Sequence, residues 1–67
     1  MPIVTIRILE GRDKEIKKKL IGNVTQAIVQ TLDAPPESVR VIIEDMPNEN
    51  YGIAGLPVLE YRAQKKS

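Results

Sequence analysis

The sequence contains no cysteine and no histidine. Without cysteine the chain can form neither a disulfide nor a thiolate ligand. Without histidine it also lacks the commonest ligand of zinc, so we expect no metal site. A catalytic base in this chain would have to be a carboxylate, a lysine, a tyrosine or a terminal amine.

Aromatic residues and excess charge are scarce as well. Tyr51 and Tyr61 are the two aromatic side chains, and the net charge is +1. So few rings and so little positive charge argue against a nucleic-acid partner. No apolar run is long enough to cross a bilayer, and residues 3–9 are too short and too polar for a signal peptide. We therefore expect a cytoplasmic protein with no membrane partner.

The length of 67 residues predicts a single domain over residues 1–67. A domain of this size buries a limited share of its surface and usually needs a disulfide, a metal or oligomerisation to be stable. The first two are missing from this composition. The sequence therefore predicts self-association.

Residues 3–9 are rich in β-branched side chains and alternate in polarity, which predicts a strand. Its purely apolar face, formed by Val4, Ile6 and Ile8, should pack on a helix, while the other face is still half apolar. Residues 39–45 predict a second strand of the same kind. Residues 51–55 are punctuated by glycine and suggest a short hairpin, and residues 58–61 suggest a further brief strand.

Between the two long strands the pattern is helical. Asp13 is a suitable N-cap, and the Pro35-Pro36 pair should end the helix. The helix carries one apolar stripe at three- and four-residue intervals, made of Ile16, Leu20, Val24, Ala27, Ile28 and Leu32. Strand, helix and strand in this order predict a parallel pair with a right-handed crossover. Because a two-stranded sheet has two bare edges, its topology is a second reason to expect an oligomer.

Pro2 is the first candidate for chemistry. Removal of Met1 would leave a secondary amine at the start of a strand. Burial and nearby positive charge lower the pKa of an amine toward neutrality, where it is a competent general base. The alternative is that proline merely tolerates the start of an edge strand, and Pro2 taken alone fits that reading.

Arg12 and Arg40 are the candidates for supplying the positive charge. Arg40 begins the second strand and Pro2 begins the first, so a parallel pair would place them side by side. Ten residues separate Arg12 from Pro2, about 30 Å in an extended strand. Arg12 could then act only on the Pro2 of a neighbouring chain. The alternative for either arginine is an ordinary surface charge.

Several segments keep their spacing together and resemble one family. The matching segments are residues 2–3 (Pro-Ile), 8–12 (Ile-Leu-Glu-Gly-Arg), 32–35 (Leu-Asp-Ala-Pro), 38–43 (Ser-Val-Arg-Val-Ile-Ile), and Gly52-Ile53 with Gly55. Over nearly its whole length, and without gaps, the chain resembles 4-oxalocrotonate tautomerase of the tautomerase superfamily.

The resemblance implies an α+β fold: a short β-α-β subunit with two parallel strands, one amphipathic helix and a C-terminal hairpin. It implies a homohexamer built as a trimer of dimers. It also implies cofactor-independent isomerisation of an unsaturated 2-hydroxy or 2-keto dicarboxylic acid, such as 2-hydroxymuconate, in aromatic hydrocarbon catabolism. The Pro2 amine would remove a proton to give a dienolate and return it to another carbon.

The resemblance also assigns residues to roles. It implies catalytic roles for Pro2, Arg12 and Arg40, and substrate-binding roles for Leu9, Ser38, Tyr51 and Arg62. Tyr51 stands where the family has a phenylalanine, Ala54 stands where a glycine is usual, and the segment from Pro57 onward diverges. Two alternatives remain open on the same scaffold. One is a related Pro2-dependent dehalogenase or hydratase, and the other is a hexamer subunit without catalytic activity.

Overall fold

The computed structural model describes residues 1–65, except for the side chain of Lys65. Its regular elements, in chain order, are β1 (Ile3–Leu9), α1 (Lys14–Leu32), β2 (Arg40–Met46), β3 (Gly52–Ile53), β4 (Leu56–Pro57) and α2 (Val58–Lys65). Single turns of 3₁₀ helix, at Pro36–Ser38 and Asn48–Asn50, lie on either side of β2.

β1 and β2 form a parallel pair in which Ile3 is in register with Arg40. The predicted parallel sheet is therefore confirmed, although β2 begins one residue later than expected. Val4, Ile6 and Ile8 are half-buried, whereas Ile3 and the other residues of the opposite face through Arg7 are exposed. The alternation in the sequence thus identified which side of the sheet meets α1.

α1 begins and ends where the sequence predicts. The Asp13 side chain accepts a hydrogen bond from the Ile16 backbone amide at 3.0 Å, which caps the first turn. Asp33 follows the last turn with a left-handed φ of 54°, and the chain then enters the two prolines. An ion pair between Lys17 and Asp45 joins α1 to β2.

The apolar stripe of α1 is covered only in its middle. Leu20, Val24 and Ile28 are half-buried, but Ile16 is 53% exposed and Leu32 is 61% exposed. The cause is length: nineteen helical residues span about 28 Å, whereas the seven-residue strands span about 20 Å. Both ends of the helix therefore extend past the sheet.

The C-terminal hairpin is confirmed, with β3 antiparallel to β4. Ala54 and Gly55 form its turn with φ values of 53° and 85°, as in a type I′ turn. The predicted strand at residues 58–61 is wrong, because these residues begin α2. Val58 is fully buried, and the residues after it are good helix formers. Alternation over four residues was too short a signal to exclude a helix.

One chain by itself has little interior. Within residues 1–65, Val39 and Val58 are the buried side chains. The radius of gyration is 15.7 Å, compared with about 11 Å for a compact chain of this length. On the sheet face opposite α1, Ile3 and Ile42 remain 62% and 46% exposed. No helix within this part of the chain has the length and apolar character needed to cross a bilayer.

Candidate active site

Pro2 and Arg40 lie side by side at the N-terminal end of the two parallel strands. The Arg40 backbone amide donates a hydrogen bond to the Pro2 carbonyl, with an N···O distance of 2.9 Å. Pro2 is half-buried, whereas Met1 is 81% exposed and precedes the strand. Pro2 and Arg40 are therefore adjacent in the sheet, as the strand order predicts.

The turn before β2 positions the Arg40 side chain. Nη1 of Arg40 donates to the Glu37 carbonyl in the preceding 3₁₀ turn. In the same turn the Ser38 hydroxyl donates to the Pro35 carbonyl at 2.7 Å. The Glu37 contact uses one guanidinium donor of Arg40, which leaves other donors of that side chain available to a ligand. We name the group of Pro2, Ser38 and Arg40 the proline end.

The other predicted residues gather at the opposite end of β1. They line a cleft of about 300 Å³, and we name it the arginine cleft. Its lining residues are Arg7, Ile8, Leu9, Arg12, Met46, Tyr51 and Arg62. The structure thus brings Leu9, Arg12, Tyr51 and Arg62 together within one chain, although Arg12 belongs to the loop after β1 and Arg62 to α2.

The arginine cleft is rich in hydrogen-bond donors, and within residues 1–65 no carboxylate lines it. Arg7 is held by Glu44, which accepts from its Nε at 3.0 Å. Nη1 of Arg12 donates to the Leu9 carbonyl at 3.1 Å and leaves the other guanidinium donors available. The nearby Glu10 carboxylate instead accepts from the Asn48 backbone amide at 3.2 Å. This arrangement suits a carboxylate ligand, which guanidinium groups bind in a bidentate manner.

Two half-sites therefore exist in each chain, and they are far apart. β1 runs from the proline end to the arginine cleft and spans about 20 Å. An arginine side chain is much shorter than that distance, and Arg12 turns back toward Leu9. No single chain can place Arg12 beside its own Pro2.

Sequence reasoning missed three residues that line the cleft. Ile8 was assigned only to the apolar face of β1 that packs on the helix. Arg7 was assigned only to the more polar face of β1, and Met46 lay just beyond the predicted end of the second strand. The alternation of β1 already placed Arg7 on the face opposite α1. The parallel register pairs Arg7 with Glu44, and this pairing was the signal by which the sequence could have located Arg7. Within residues 1–65, histidine, cysteine, aspartate and glutamate side chains form no cluster of three or more that could hold a metal ion.

Comparison with known sequences agrees with this geometry. The sequence model of the family described as "Tautomerase enzyme" matches residues 2–60. A 2-hydroxymuconate tautomerase from Pseudomonas putida is 53% identical over 57 residues, which are 85% of this chain and 90% of that protein. The chain therefore belongs to the tautomerase family, in the group of the 4-oxalocrotonate tautomerases. Like the named members of that group, it is an isomerase.

Solved structures share the fold. One comes from work on the 4-oxalocrotonate tautomerase isozymes of Methylibium petroleiphilum; it superimposes with a TM-score of 0.87 at 35% identity and covers 94% of this chain and 98% of its own. Another belongs to a heterohexameric 4-oxalocrotonate tautomerase from Chloroflexus aurantiacus. Its TM-score is 0.85 at 32% identity, with 90% and 97% of the two chains covered.

Proposed function

We propose that this protein isomerises an unsaturated 2-hydroxy or 2-keto dicarboxylic acid, with 2-hydroxymuconate as the model substrate, and that the Pro2 amine is the general base. The observation that carries the proposal is the register of Pro2 beside Arg40. The Arg40 backbone amide donates a hydrogen bond to the Pro2 carbonyl, so the two residues are neighbours at one end of the sheet, and this adjacency supports a shared site. Relatives named 2-hydroxymuconate tautomerases support the choice of substrate.

Exposure of the base requires removal of Met1. While Met1 is present, the Pro2 nitrogen is a tertiary amide and has no lone pair available for a proton. Met1 is 81% exposed and β1 begins only at Ile3, so its removal leaves the sheet unchanged. The family match also begins at residue 2.

The reaction moves a proton and needs no electron transfer. The neutral Pro2 amine takes a proton from the substrate and leaves a conjugated dienolate, and the resulting prolinium returns the proton to another carbon. Arg40 binds the carboxylate and the 2-oxygen beside the base, where negative charge develops. Arg12 and Arg62 bind the distal carboxylate, and Leu9 and the Tyr51 ring form the apolar wall that keeps the amine neutral.

The proposal requires several chains for each site. Since β1 separates the two half-sites by about 20 Å, the proline end of one chain must meet the arginine cleft of another. The exposed faces of β1, β2 and α1 are apolar enough to support such packing, with Ile3 and Leu32 more than 60% exposed. We propose a homohexamer arranged as a trimer of dimers. The heterohexameric relative from Chloroflexus aurantiacus supports an assembly of six subunits.

The test is turnover of 2-hydroxymuconate by protein whose intact mass shows that Met1 is absent. Pro2→Ala should lower kcat by about 10²–10⁴-fold, as expected when a general base is lost. Protein with one extra residue before Pro2 should be equally impaired, because its Pro2 nitrogen is an amide. Circular dichroism should show unchanged helicity in both variants. Full turnover by the extended protein would rule out the amine as the base.

A further inference from the structure

Tyr51 lines the arginine cleft, and none of the roles assigned so far uses its hydroxyl group. The proposed wall of the site needs only the ring of Tyr51. Within residues 1–65 no hydrogen bond joins this hydroxyl to another protein group. The side chain is 39% exposed and lines the cleft together with Arg12 and Arg62.

The backbone holds Tyr51 in place at the edge of the cleft. Its amide donates to the Asn48 carbonyl at 3.3 Å, and its carbonyl accepts from the Val58 amide at 2.8 Å. Val58, the first residue of α2, is fully buried. The backbone of Tyr51 is therefore fixed between the 3₁₀ turn at Asn48–Asn50 and α2, which sets the point at the edge of the cleft from which its ring extends.

A carboxylate bound in the cleft has room for another donor. Its two oxygens accept about four hydrogen bonds. If one of Arg12 and Arg62 binds in a bidentate manner and the other through a single nitrogen, one acceptor position is left for the phenol. No carboxylate among the residues that the structure describes lines the cleft to compete for the phenol. The Tyr51 hydroxyl is thus a free donor beside groups that attract an anion.

We propose that the Tyr51 hydroxyl is a specificity-determining group that donates a hydrogen bond to the distal carboxylate of the substrate. This inference rests on the proposed function and concerns the same site. The hydroxyl favours a diacid by adding one charge-assisted hydrogen bond. It also disfavours a monoacid with an apolar distal end, because such an end would cover the hydroxyl and leave it without a partner.

The kinetic test compares Tyr51→Phe with the unmodified protein on two substrates. One is 2-hydroxymuconate, and the other is 2-hydroxypenta-2,4-dienoate, which lacks the distal carboxylate. We expect kcat/KM for the diacid to fall about tenfold, mainly through KM, because the distal contact is the same in the ground state and the transition state. Turnover of the monoacid should stay the same or improve. Tyr61→Phe, which removes the phenol that does not line the cleft, should leave the ratio unchanged.

A binding measurement separates this inference from the proposed reaction. Adipate is a saturated six-carbon diacid and hexanoate is the matching monoacid, and neither can react. By calorimetry, Tyr51→Phe should weaken adipate binding about tenfold, whereas hexanoate binding should stay the same or become tighter. If adipate depends on Tyr51 but 2-hydroxymuconate is not turned over, the proposed reaction fails and the role of the hydroxyl stands. The role of the hydroxyl is overturned if adipate does not bind, or if it binds equally to both proteins. It is also overturned if Tyr51→Phe lowers kcat/KM equally for both substrates.

Discussion

The Arg40 backbone amide donates a hydrogen bond to the Pro2 carbonyl, and this bond does not depend on the Arg40 side chain. The ladder that continues from it pairs Ile3 with Arg40 and Leu9 with Met46. The position of Pro2 is therefore set by the sheet, while the Arg40 guanidinium is held by the turn before β2. A change at the Arg40 side chain should alter chemistry without displacing the base.

Replacement of Arg40 tests that separation. Arg40→Gln removes the charge that would stabilise the dienolate, so kcat for 2-hydroxymuconate should fall by about 10²–10³-fold. Arg40→Lys keeps the positive charge but lacks the planar fork of the guanidinium with its paired donors. Its activity should lie between those of the unmodified protein and Arg40→Gln. Steady-state kinetics on protein of matched helicity measures both effects. A lysine variant no better than the glutamine variant would show that fork geometry, and not charge, is what the site requires.

The assembly is testable by mass. A single chain with two buried residues among those the structure describes has too small a core to be stable alone. Multi-angle light scattering at micromolar concentration should give six times the 7.5 kDa chain mass. If dilution dissociates the hexamer into a smaller species, the helicity should fall together with the mass. A fully helical monomer would contradict both the assembly and the composite site.

The turn of the C-terminal hairpin offers a prediction about stability. Ala54 has a φ of 53°, a left-handed conformation that costs a residue with a Cβ about 1–2 kcal/mol. Ala54→Gly removes that cost but adds entropy to the unfolded chain, so the net gain should be about 0.5–1 kcal/mol. Thermal unfolding at one fixed protomer concentration measures the change, because assembly makes the midpoint concentration-dependent.

Gly55→Ala is the matched control for the turn. Gly55 has a φ of 85°, and a Cβ built there has no heavy atom within 4 Å. Its substitution should therefore destabilise the protein through backbone strain alone, by about 1 kcal/mol. The two variants should shift the midpoint in opposite directions. A shift of the same sign in both would contradict the backbone explanation.

The features that sequence predicted correctly depend on local signals. Asp13 caps α1 through a side chain three residues from its partner, and the two prolines stop the chain from continuing the helix. The neighbourhood of Pro2 and Arg40 followed from strand order, because residues that begin parallel strands meet at one edge. Both conclusions needed no knowledge of distant packing.

The features that sequence missed depend on contacts distant in the chain. α2 forms because Val58 is buried against the hairpin, a contact that no four-residue pattern reveals. Arg7 belongs to the arginine cleft because Met46 and Arg62, from β2 and α2, complete the wall around it. The resemblance named Leu9, Arg12, Tyr51 and Arg62, but their grouping with Arg7 and Met46 in one cleft required the structure. The adjacency of Pro2 and Arg40 did not.

The composite site predicts complementation between inactive variants. Pro2→Ala subunits still carry Arg12, and Arg12→Ala subunits still carry Pro2. If each site takes Pro2 from one chain and Arg12 from another, random mixing of equal amounts should leave about one quarter of the sites with both residues. The strand between the two half-sites, about 20 Å long, supports this arrangement because it forbids a site within one chain.

The experiment is to unfold the two variants, refold them together and assay 2-hydroxymuconate. Activity should rise to about one quarter of the unmodified level at a 1:1 ratio, and should fall as either variant is taken in excess. Variants refolded separately and then mixed are the control, since their hexamers stay pure. Mass analysis must show mixed hexamers before the assay is read. If mixed hexamers form and remain inactive, Arg12 does not act across subunits, because a site contained in one chain cannot regain both residues at any mixing ratio.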